Sequence, residues 1–513
     1  MNQASKNFYT NIIHLVVNVV IGLLYTPYLI HQVGIHAYGI VPLALIVNQY
    51  INVLSLSLVN ALSRFYSVAY RSGDYNKAST YLSTSILLCV IVSIIIMPIL
   101  LMGVDHIDSF FDIPEDLLHD AKELFLLTIV SFLLSIISDC FNTTLFSDNY
   151  LNWINYIKII RQVSKFGING LLFILLDTNV VYIGVSNLLS EILVLIISIL
   201  AFSRTKPRLI HFGLSRFEIA SLSAMASMIL WVLVQRFADV FLYKVDTIFM
   251  NLYFGIDNTG ILGAISEFGS YAISLTGVFS SLLGPLLLIS YSNKDYTNYK
   301  NITIQGAYIV CIICSLVCGL LIGSAKSILS VWLGQDYGDY GIWLSIKLVA
   351  IPYTTCGAVF ANSYLYANYN KVPAIASLLI SIINILVTYI FLSYFSSIEG
   401  FLIICLCFIL LQGFFMNIYF YNRLYHDSNK SKYLLFLKTP LFMLIVSLLT
   451  WACNYIIPFN NIYALILSYI IVTIISLILL DKFFIPDTYR SFLYELIPVY
   501  KKIRSTLINE NNE

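Results

Sequence analysis

Long apolar stretches follow one another along almost the whole chain, and short polar segments separate them. Each stretch has about the 20 residues that an α-helix needs to cross the hydrocarbon core of a bilayer. We predict fourteen spans, at residues 8–31, 38–62, 80–104, 122–146, 158–177, 180–203, 228–251, 260–289, 301–324, 341–367, 373–395, 400–421, 437–457 and 462–481. The pattern therefore predicts an all-α, polytopic membrane protein.

A segment of 44 residues occurs twice in the chain. Residues 34–77 align without a gap on residues 255–298, at a constant offset of 221 residues, with ten identical positions. Each copy opens with the signature Gly-Ile-x-x-x-Gly-Ile and ends with Asp-Tyr in a polar loop. A repeat that runs in one direction predicts two lobes related by an axis along the membrane normal, as in transporters with a central cavity.

The repeat sets the expected domain boundaries. Six spans form a first lobe over residues 1–215, and six more form a second lobe over residues 216–425. Two further spans follow in residues 426–482, and residues 483–513 are predicted to form an amphipathic tail along the cytoplasmic surface. Since the first span has its counterpart near residues 229–252, residues 217–227 are expected to form a separate, short interface helix.

The composition excludes a water-soluble globular protein, because 59% of the 513 residues are hydrophobic and only 11% are charged. The sequence has no phosphate-binding glycine loop and no carboxylate pair beside a histidine cluster. The nine cysteines lie in apolar stretches, where packing is a better explanation than a disulfide framework or a zinc site. We therefore expect a transporter rather than an enzyme, with no cofactor or resident metal and no nucleic-acid partner.

Basic residues predict the orientation. Loops on the side of the N-terminus hold 22 lysines and arginines, whereas the opposite loops and their edges hold only three. Positively charged loops remain on the cytoplasmic side of a membrane. Both termini are therefore predicted to lie in the cytoplasm.

Charged residues inside the predicted spans are the candidates for function, because burying a charge in lipid is costly. Four cations are candidate ligands of an anionic substrate: Arg64, Lys165, Arg236 and Lys347. Lys158, Arg161 and Lys165 follow one face of the fifth span, although the first two have a simpler explanation as interfacial residues. The pairs Asp139 with Lys165, Glu267 with Lys347, and Arg236 with Asp239 have an equally good explanation as structural ion pairs.

Three carboxylates are candidate sites for coupling to H⁺ or Na⁺: Glu191, Glu267 and Asp239. Glu191 lies near the middle of the sixth span, and the sequence shows no partner at its own depth. An unpaired carboxylate in lipid suits a site that binds a cation. A protonated glutamate that is hydrogen-bonded inside the helix bundle is the alternative.

The segment from residue 26 to residue 78 resembles the start of the polysaccharide transporter family, the Wzx-type oligosaccharide flippases. In that family a proline ends the first helix, a G-x-x-x-Y/F-G turn follows, and an arginine closes the second helix before a Gly-Asp loop. The matching residues here are Pro27, the turn from Gly34 to Gly39, Arg64, and Gly73 with Asp74. The layout of six, six and two spans also agrees with the family over the whole chain.

The resemblance implies a function. It implies movement of an undecaprenyl-pyrophosphate-linked oligosaccharide across the bacterial cytoplasmic (inner) membrane, for assembly of O-antigen, capsule or exopolysaccharide. Membrane lipid is then a partner, together with a polysaccharide polymerase and other assembly proteins. The family lies in the multidrug/oligosaccharidyl-lipid/polysaccharide exporter superfamily, so an ion-coupled multidrug exporter is the main alternative. A membrane glycan polymerase is a weaker one.

Overall fold

The computed structural model describes residues 3–147, 150–205, 210–213, 216–292, 294–366, 369, 371–425, 435–456 and 462–496. Within these ranges the chain is helical apart from short connections, and no strand occurs. The prediction of an all-α protein is confirmed. Of the predicted tail, the part beyond residue 496 lies outside the described ranges.

Seventeen α-helices make up the described part of the chain. They are α1 (Gln3–Tyr38), α2 (Ile40–Arg71), α3 (Tyr75–Asp105), α4 (Leu118–Ser147), α5 (Leu151–Leu175), α6 (Val181–Thr205), α7 (Ile219–Ser292), α8 (Tyr296–Gly323), α9 (Ala325–Trp332), α10 (Gly341–Val349), α11 (Ile351–Tyr366), α12 (Lys371–Tyr394), α13 (Ile398–Leu410), α14 (Asn417–Tyr425), α15 (Lys438–Ile456), α16 (Ile462–Leu479) and α17 (Asp487–Leu496). A π-helical turn, Leu411–Met416, joins α13 to α14.

Helices occupy all fourteen predicted span positions. In the described ranges, eleven helical segments are long and apolar enough to cross a membrane. The other three predicted positions are α5, which contains Lys158, Arg161 and Lys165, and the two parts of α7. The chain is therefore a multi-pass membrane protein, as the hydrophobic pattern predicts.

The two sequence copies begin with the same break in the backbone. Gly34 interrupts α1 at φ 78° and ψ 159°, and Gly255 interrupts α7 at φ 83° and ψ 178°. Only glycine adopts this region of φ and ψ without strain. The presence of glycine at this position in both copies thus has a physical reason.

The copies also end alike. Asp74 caps the start of α3 by accepting a hydrogen bond from the N–H of Lys77 at 3.0 Å. Asp295 caps α8 in the same way, accepting from the N–H of Asn298 at 3.1 Å. The residue before each cap, Gly73 or Lys294, has a positive φ. The segment of 44 residues that recurs at an offset of 221 residues is therefore a structural repeat at both of its ends.

The prediction of a separate interface helix at residues 217–227 is wrong. One helix begins at Ile219 and continues without a break to Gly255. No proline or glycine lies between these two positions, so nothing in the sequence ends the helix there.

The chain divides into two compact units. The first consists of Met1–Ala264 and Ala374–Ile398, and the second of Ile265–Pro373 and Glu399–Glu513. The two lobes predicted from the repeat have other boundaries, and that division stays a prediction.

Inside the first unit, α4 packs along α6 and α2, while α5 packs between α1 and α6. Apolar residues of α2, α3 and α4 fill its core around the fully buried Tyr66 and Cys140. Inside the second unit, α8 packs against α11 and α15 around Tyr308, Phe360 and Phe442. The charged residues described below therefore lie on helices with closely packed neighbours.

Candidate functional site

An ion pair joins α5 to α6. Arg161 Nε lies 2.8 Å from Glu191 Oε1, and Arg161 Nη2 donates to Glu191 Oε2 at 3.2 Å. Only 28% of the Arg161 side chain and 14% of the Glu191 side chain remain exposed. A guanidinium binds two carboxylate oxygens in this geometry, and it binds two phosphate oxygens in the same way. The expectation that Glu191 has no partner is therefore wrong.

Three more charged side chains surround this pair. Asp139 on α4 interacts electrostatically with Arg161 and Lys158, and Lys165 interacts with Glu191. The three cations share one face of α5 because they are three and seven residues apart. We call these five residues the α5 network. Its three cations and two carboxylates give a net charge of +1 when all five groups are ionised.

Hydrogen bonds from α1 hold α5 in place. The Asn155 side chain donates to Thr10 Oγ1 at 3.1 Å. Eight residues farther along α1, Asn18 Oδ1 accepts from the Gln162 amide at 3.0 Å. The partners are 145 and 144 residues apart, so the two helices run parallel. Such bonds join helices where water is absent, and they fix the rotation of α5 and the direction of its cationic face.

The first helix also contacts the cations themselves. Lys165 Nζ lies 5.6 Å from the centre of the Tyr25 ring, in a cation–π contact. The ring of Tyr25 packs edge-on against Phe166, with 5.7 Å between the ring centres. His14 interacts electrostatically with Lys158. The α5 network is thus formed by side chains of α4, α5 and α6 and flanked by α1.

A second polar cluster joins α7 to α12. Asp239 Oδ2 lies 3.4 Å from Arg236 Nη1, and Asp239 Oδ1 accepts from Gln235 Nε2 at 3.1 Å. The same Gln235 amide donates to Ser377 at 3.1 Å. Ser381 donates to the carbonyl oxygen of Ala238 at 2.7 Å. The ion pair predicted between Arg236 and Asp239 is therefore present, and neutral groups of α12 hold it in place.

The remaining candidates lie apart in the sequence and on other helices. Arg64 is exposed on α2, with Nη1 at 4.0 Å from the sulfur of Met228, and it has no ion-pair partner among the described residues. In the second unit, Glu267 and Lys347 are half-buried on α7 and α10. The structure thus brings together Lys165 with Glu191, and Arg236 with Asp239. A pairing of Glu267 with Lys347 stays a prediction.

Sequence reasoning underestimated Arg161 and missed Gln235 and Ser377. The predicted fifth span begins at residue 158, which places Arg161 at the membrane surface. The helix begins at Leu151, so Arg161 lies ten residues from its start, about 15 Å along the axis. Its depth in the membrane stays a prediction. The spacing of the three cations along one helix face was the signal available in the sequence. Neutral Gln235 and Ser377 gave none, because only their contact distinguishes them from other polar residues.

Comparison with known proteins gives a family match for the N-terminal third of the chain. A family model described as MatE matches residues 7–171. One curated relative, the uncharacterized membrane protein EpsK of Bacillus subtilis (strain 168), is 24% identical over 386 residues. That alignment covers 74% of this chain and 75% of the relative.

Solved structures show the same fold. An inward-facing multidrug resistance MATE family transporter of the MOP superfamily matches with a TM-score of 0.69 at 13% identity, over 83% of this chain and 100% of its own. The lipid II flippase MurJ, in an inward closed conformation, matches with a TM-score of 0.66 at 16% identity, over 96% of this chain and 98% of its own. At these identities the matches show a shared fold. The matching proteins named here are a multidrug transporter and a lipid flippase.

Proposed function

We propose that this chain is a flippase that moves an undecaprenyl-pyrophosphate-linked oligosaccharide across the bacterial cytoplasmic membrane by alternating access. The α5 network is the observation that supports this most directly. A diphosphate must cross the hydrocarbon core while its lipid tail remains in lipid, so the protein must supply cations at membrane depth. Arg161 and Lys165 supply them on one helix face, with an arginine whose geometry suits phosphate oxygens.

The extent of one structural match also supports the proposal. MurJ matches over 96% of this chain, whereas the MATE transporter matches over 83%. The lipid flippase therefore matches over more of this chain than the multidrug transporter does.

The location and the partners belong to the same proposal. A lipid-linked glycan made on the cytoplasmic side requires a protein in the bacterial inner membrane, and the charge asymmetry of the loops favours cytoplasmic termini. On the outer side, a polysaccharide polymerase and other assembly proteins would take over the product. The remaining predicted cavity cations, Arg64, Arg236 and Lys347, would meet the substrate at other stages of its passage.

Reconstitution tests the proposal. The purified protein is placed in vesicles that contain a fluorescent polyprenyl-diphosphate oligosaccharide, and an impermeant quencher reports how much glycan faces outside. We expect the wild-type protein to transfer the glycan across the membrane. Lys165→Gln should reduce the transfer rate about tenfold or more, because removing a cation inside the membrane weakens diphosphate binding. Arg204→Gln, at the exposed end of α6, is the matched control and should keep the wild-type rate. Absence of transfer by the wild-type protein would contradict the proposal.

An ion-coupled exporter of small molecules is the second candidate. The observation in its favour is Asp239, a carboxylate inside a predicted span that Gln235 and Arg236 hold in position. The MatE match over residues 7–171 supports it as well. Efflux of a cationic dye from the same vesicles, driven by a gradient of H⁺ or Na⁺, would favour this candidate if glycan transfer is absent.

A further inference from the structure

The ion pair between Arg161 and Glu191 occupies the side chain that is best suited to a diphosphate. Nη2 of the guanidinium donates to Glu191 Oε2, and Nε lies 2.8 Å from Glu191 Oε1. A substrate phosphate that presents two oxygens would bind to the same two nitrogen atoms, Nε and Nη2. Carboxylate and phosphate therefore compete for one binding geometry.

We propose that Arg161 exchanges Glu191 for the diphosphate of the substrate, and that Glu191 takes up one proton from the aqueous phase as it releases Arg161. This inference rests on the proposed function. In this exchange Glu191 is the coupling carboxylate, because a proton replaces the guanidinium of Arg161 as the group that neutralises its charge. Substrate binding and proton binding then assist each other.

Accessibility favours the exchange. The Arg161 side chain keeps 28% of its surface exposed, twice the fraction kept by Glu191. A ligand therefore reaches the guanidinium more readily than the carboxylate. An ion pair that must open to admit a ligand needs one accessible partner.

Charge balance points the same way. With all five groups ionised, the α5 network has a net charge of +1. Neutralising Glu191 leaves three cations against the single carboxylate of Asp139, a net charge of +2. A diphosphate esterified at both ends has two negative charges throughout the neutral range. The protonated network therefore matches the substrate in charge, and the unprotonated network does not.

The surrounding groups define what else titrates near Glu191. Asp139 faces it from α4, and Arg161 and Lys165 face it from α5. Lys158 interacts with Asp139. On α1, His14 interacts with Lys158, and the Tyr25 ring lies against Lys165. His14 is an imidazole beside Lys158, and a proton on it would add positive charge to the network. The experiment must therefore separate His14 from Glu191.

The test measures binding to the purified full-length protein as a function of pH. The probe is a short-chain farnesyl-diphosphate-linked N-acetylglucosamine, whose own charge is constant over the range used. Lower pH protonates more Glu191, releases more Arg161 and should tighten binding. We expect the affinity of the wild-type protein to rise by up to about tenfold per pH unit between about pH 8 and pH 6.

Three variants distinguish the groups involved. Glu191→Gln imitates the protonated carboxyl and should bind tightly at every pH, with the slope lost. Arg161→Gln should bind the probe weakly at every pH. Arg161→Lys should bind with an affinity between those of Arg161→Gln and Glu191→Gln, because lysine keeps the positive charge but cannot donate to two oxygens at once as a guanidinium does. His14→Asn should keep the wild-type slope, and Arg204→Gln should keep the wild-type affinity.

Two outcomes would overturn the exchange: a wild-type affinity that does not change with pH, or a Glu191→Gln variant that keeps the full slope. Both leave the proposed function in place, because the probe still binds. Failure of the wild-type protein to bind the probe at any pH would remove the proposed function and the exchange together. The double variant Arg161→Gln with Glu191→Gln retains a neutral hydrogen-bonding pair. Its thermal unfolding shows whether a loss of binding reflects misfolding.

Discussion

His36 and Asp257 are 221 residues apart, the offset of the sequence repeat, and their side chains meet. His36 Nδ1 lies 2.7 Å from Asp257 Oδ1. Equivalent positions of two copies can touch only where the copies approach the axis that relates them. Identical charged residues would repel each other there, and the chain instead has a histidine facing an aspartate. Asp116 adds a second carboxylate, with Oδ2 at 3.9 Å from His36 Nε2.

The neighbouring positions show the same reciprocity. A Cβ atom at Gly39 would overlap the carbonyl oxygen of Ile256, and a Cβ atom at Gly260 would lie 3.1 Å from the carbonyl oxygen of Ile35. Gly39 corresponds to Gly260 in the repeat, and Ile35 corresponds to Ile256. Both segments belong to the first unit. The glycines of the repeat signature thus serve a close approach of the two copies, at the helix ends that are predicted to face outside.

The first prediction concerns this contact. Cysteines at His36 and Asp257, joined by a disulfide, should hold the two helix ends together and stop transport, because alternating access requires the outer ends to separate. Reduction of the disulfide should restore transport. The two single-cysteine variants, treated with the same oxidant, are the controls. Full transport through the cross-linked protein would show that these ends need not part.

The second prediction concerns Gly39. Gly39→Ala places a methyl group against the backbone of Ile256, which should cost about 1–3 kcal/mol in the contact. A cysteine at the buried Tyr38 should then react faster with an impermeant maleimide, by about tenfold for each 1.4 kcal/mol. Gly103→Ala is the matched control, because a Cβ atom there meets nothing within 4 Å. Equal labelling rates in the two variants would contradict the packing argument.

The third prediction concerns Asp239 as a coupling residue. Asp239→Asn removes the charge but keeps an oxygen that accepts from Gln235. If a cation binds to this carboxylate, the variant should lose the dependence of transport on an H⁺ or Na⁺ gradient and keep downhill exchange. Ser377→Ala removes only a neutral partner of Gln235 and should keep the gradient dependence. Unchanged gradient dependence in Asp239→Asn would exclude a role of Asp239 in coupling.

The fourth prediction concerns orientation. A cysteine at the exposed Asp112 should react with an impermeant thiol reagent added to intact cells. A cysteine at the exposed Lys77 should react only after permeabilisation, because the basic loops are expected inside. The reverse labelling pattern would invert the topology.

Much of the fold follows from local features of the sequence. The apolar stretches predict the helices because backbone groups in lipid must be hydrogen-bonded within their own segment. The repeat predicts matching breaks at Gly34 and Gly255, and matching caps at Asp74 and Asp295, because glycine and aspartate have specific backbone roles. The uninterrupted start of α7 also agrees with a local feature, the absence of proline and glycine between Ile219 and Gly255, although the repeat predicts a separate helix there.

Partnerships between side chains on different helices were decided by the tertiary structure alone. The sequence by itself predicted which charges lie in spans, and it determined that Lys158, Arg161 and Lys165 share a helix face. It did not determine that Arg161 meets Glu191, because that contact depends on where α5 begins and how α1 and α6 rotate it. Nor did it determine that His36 meets Asp257, since a repeat specifies an axis but not which residues lie on it. A linear pattern fixes periodicity along one helix, and only packing sets the distance between two helices.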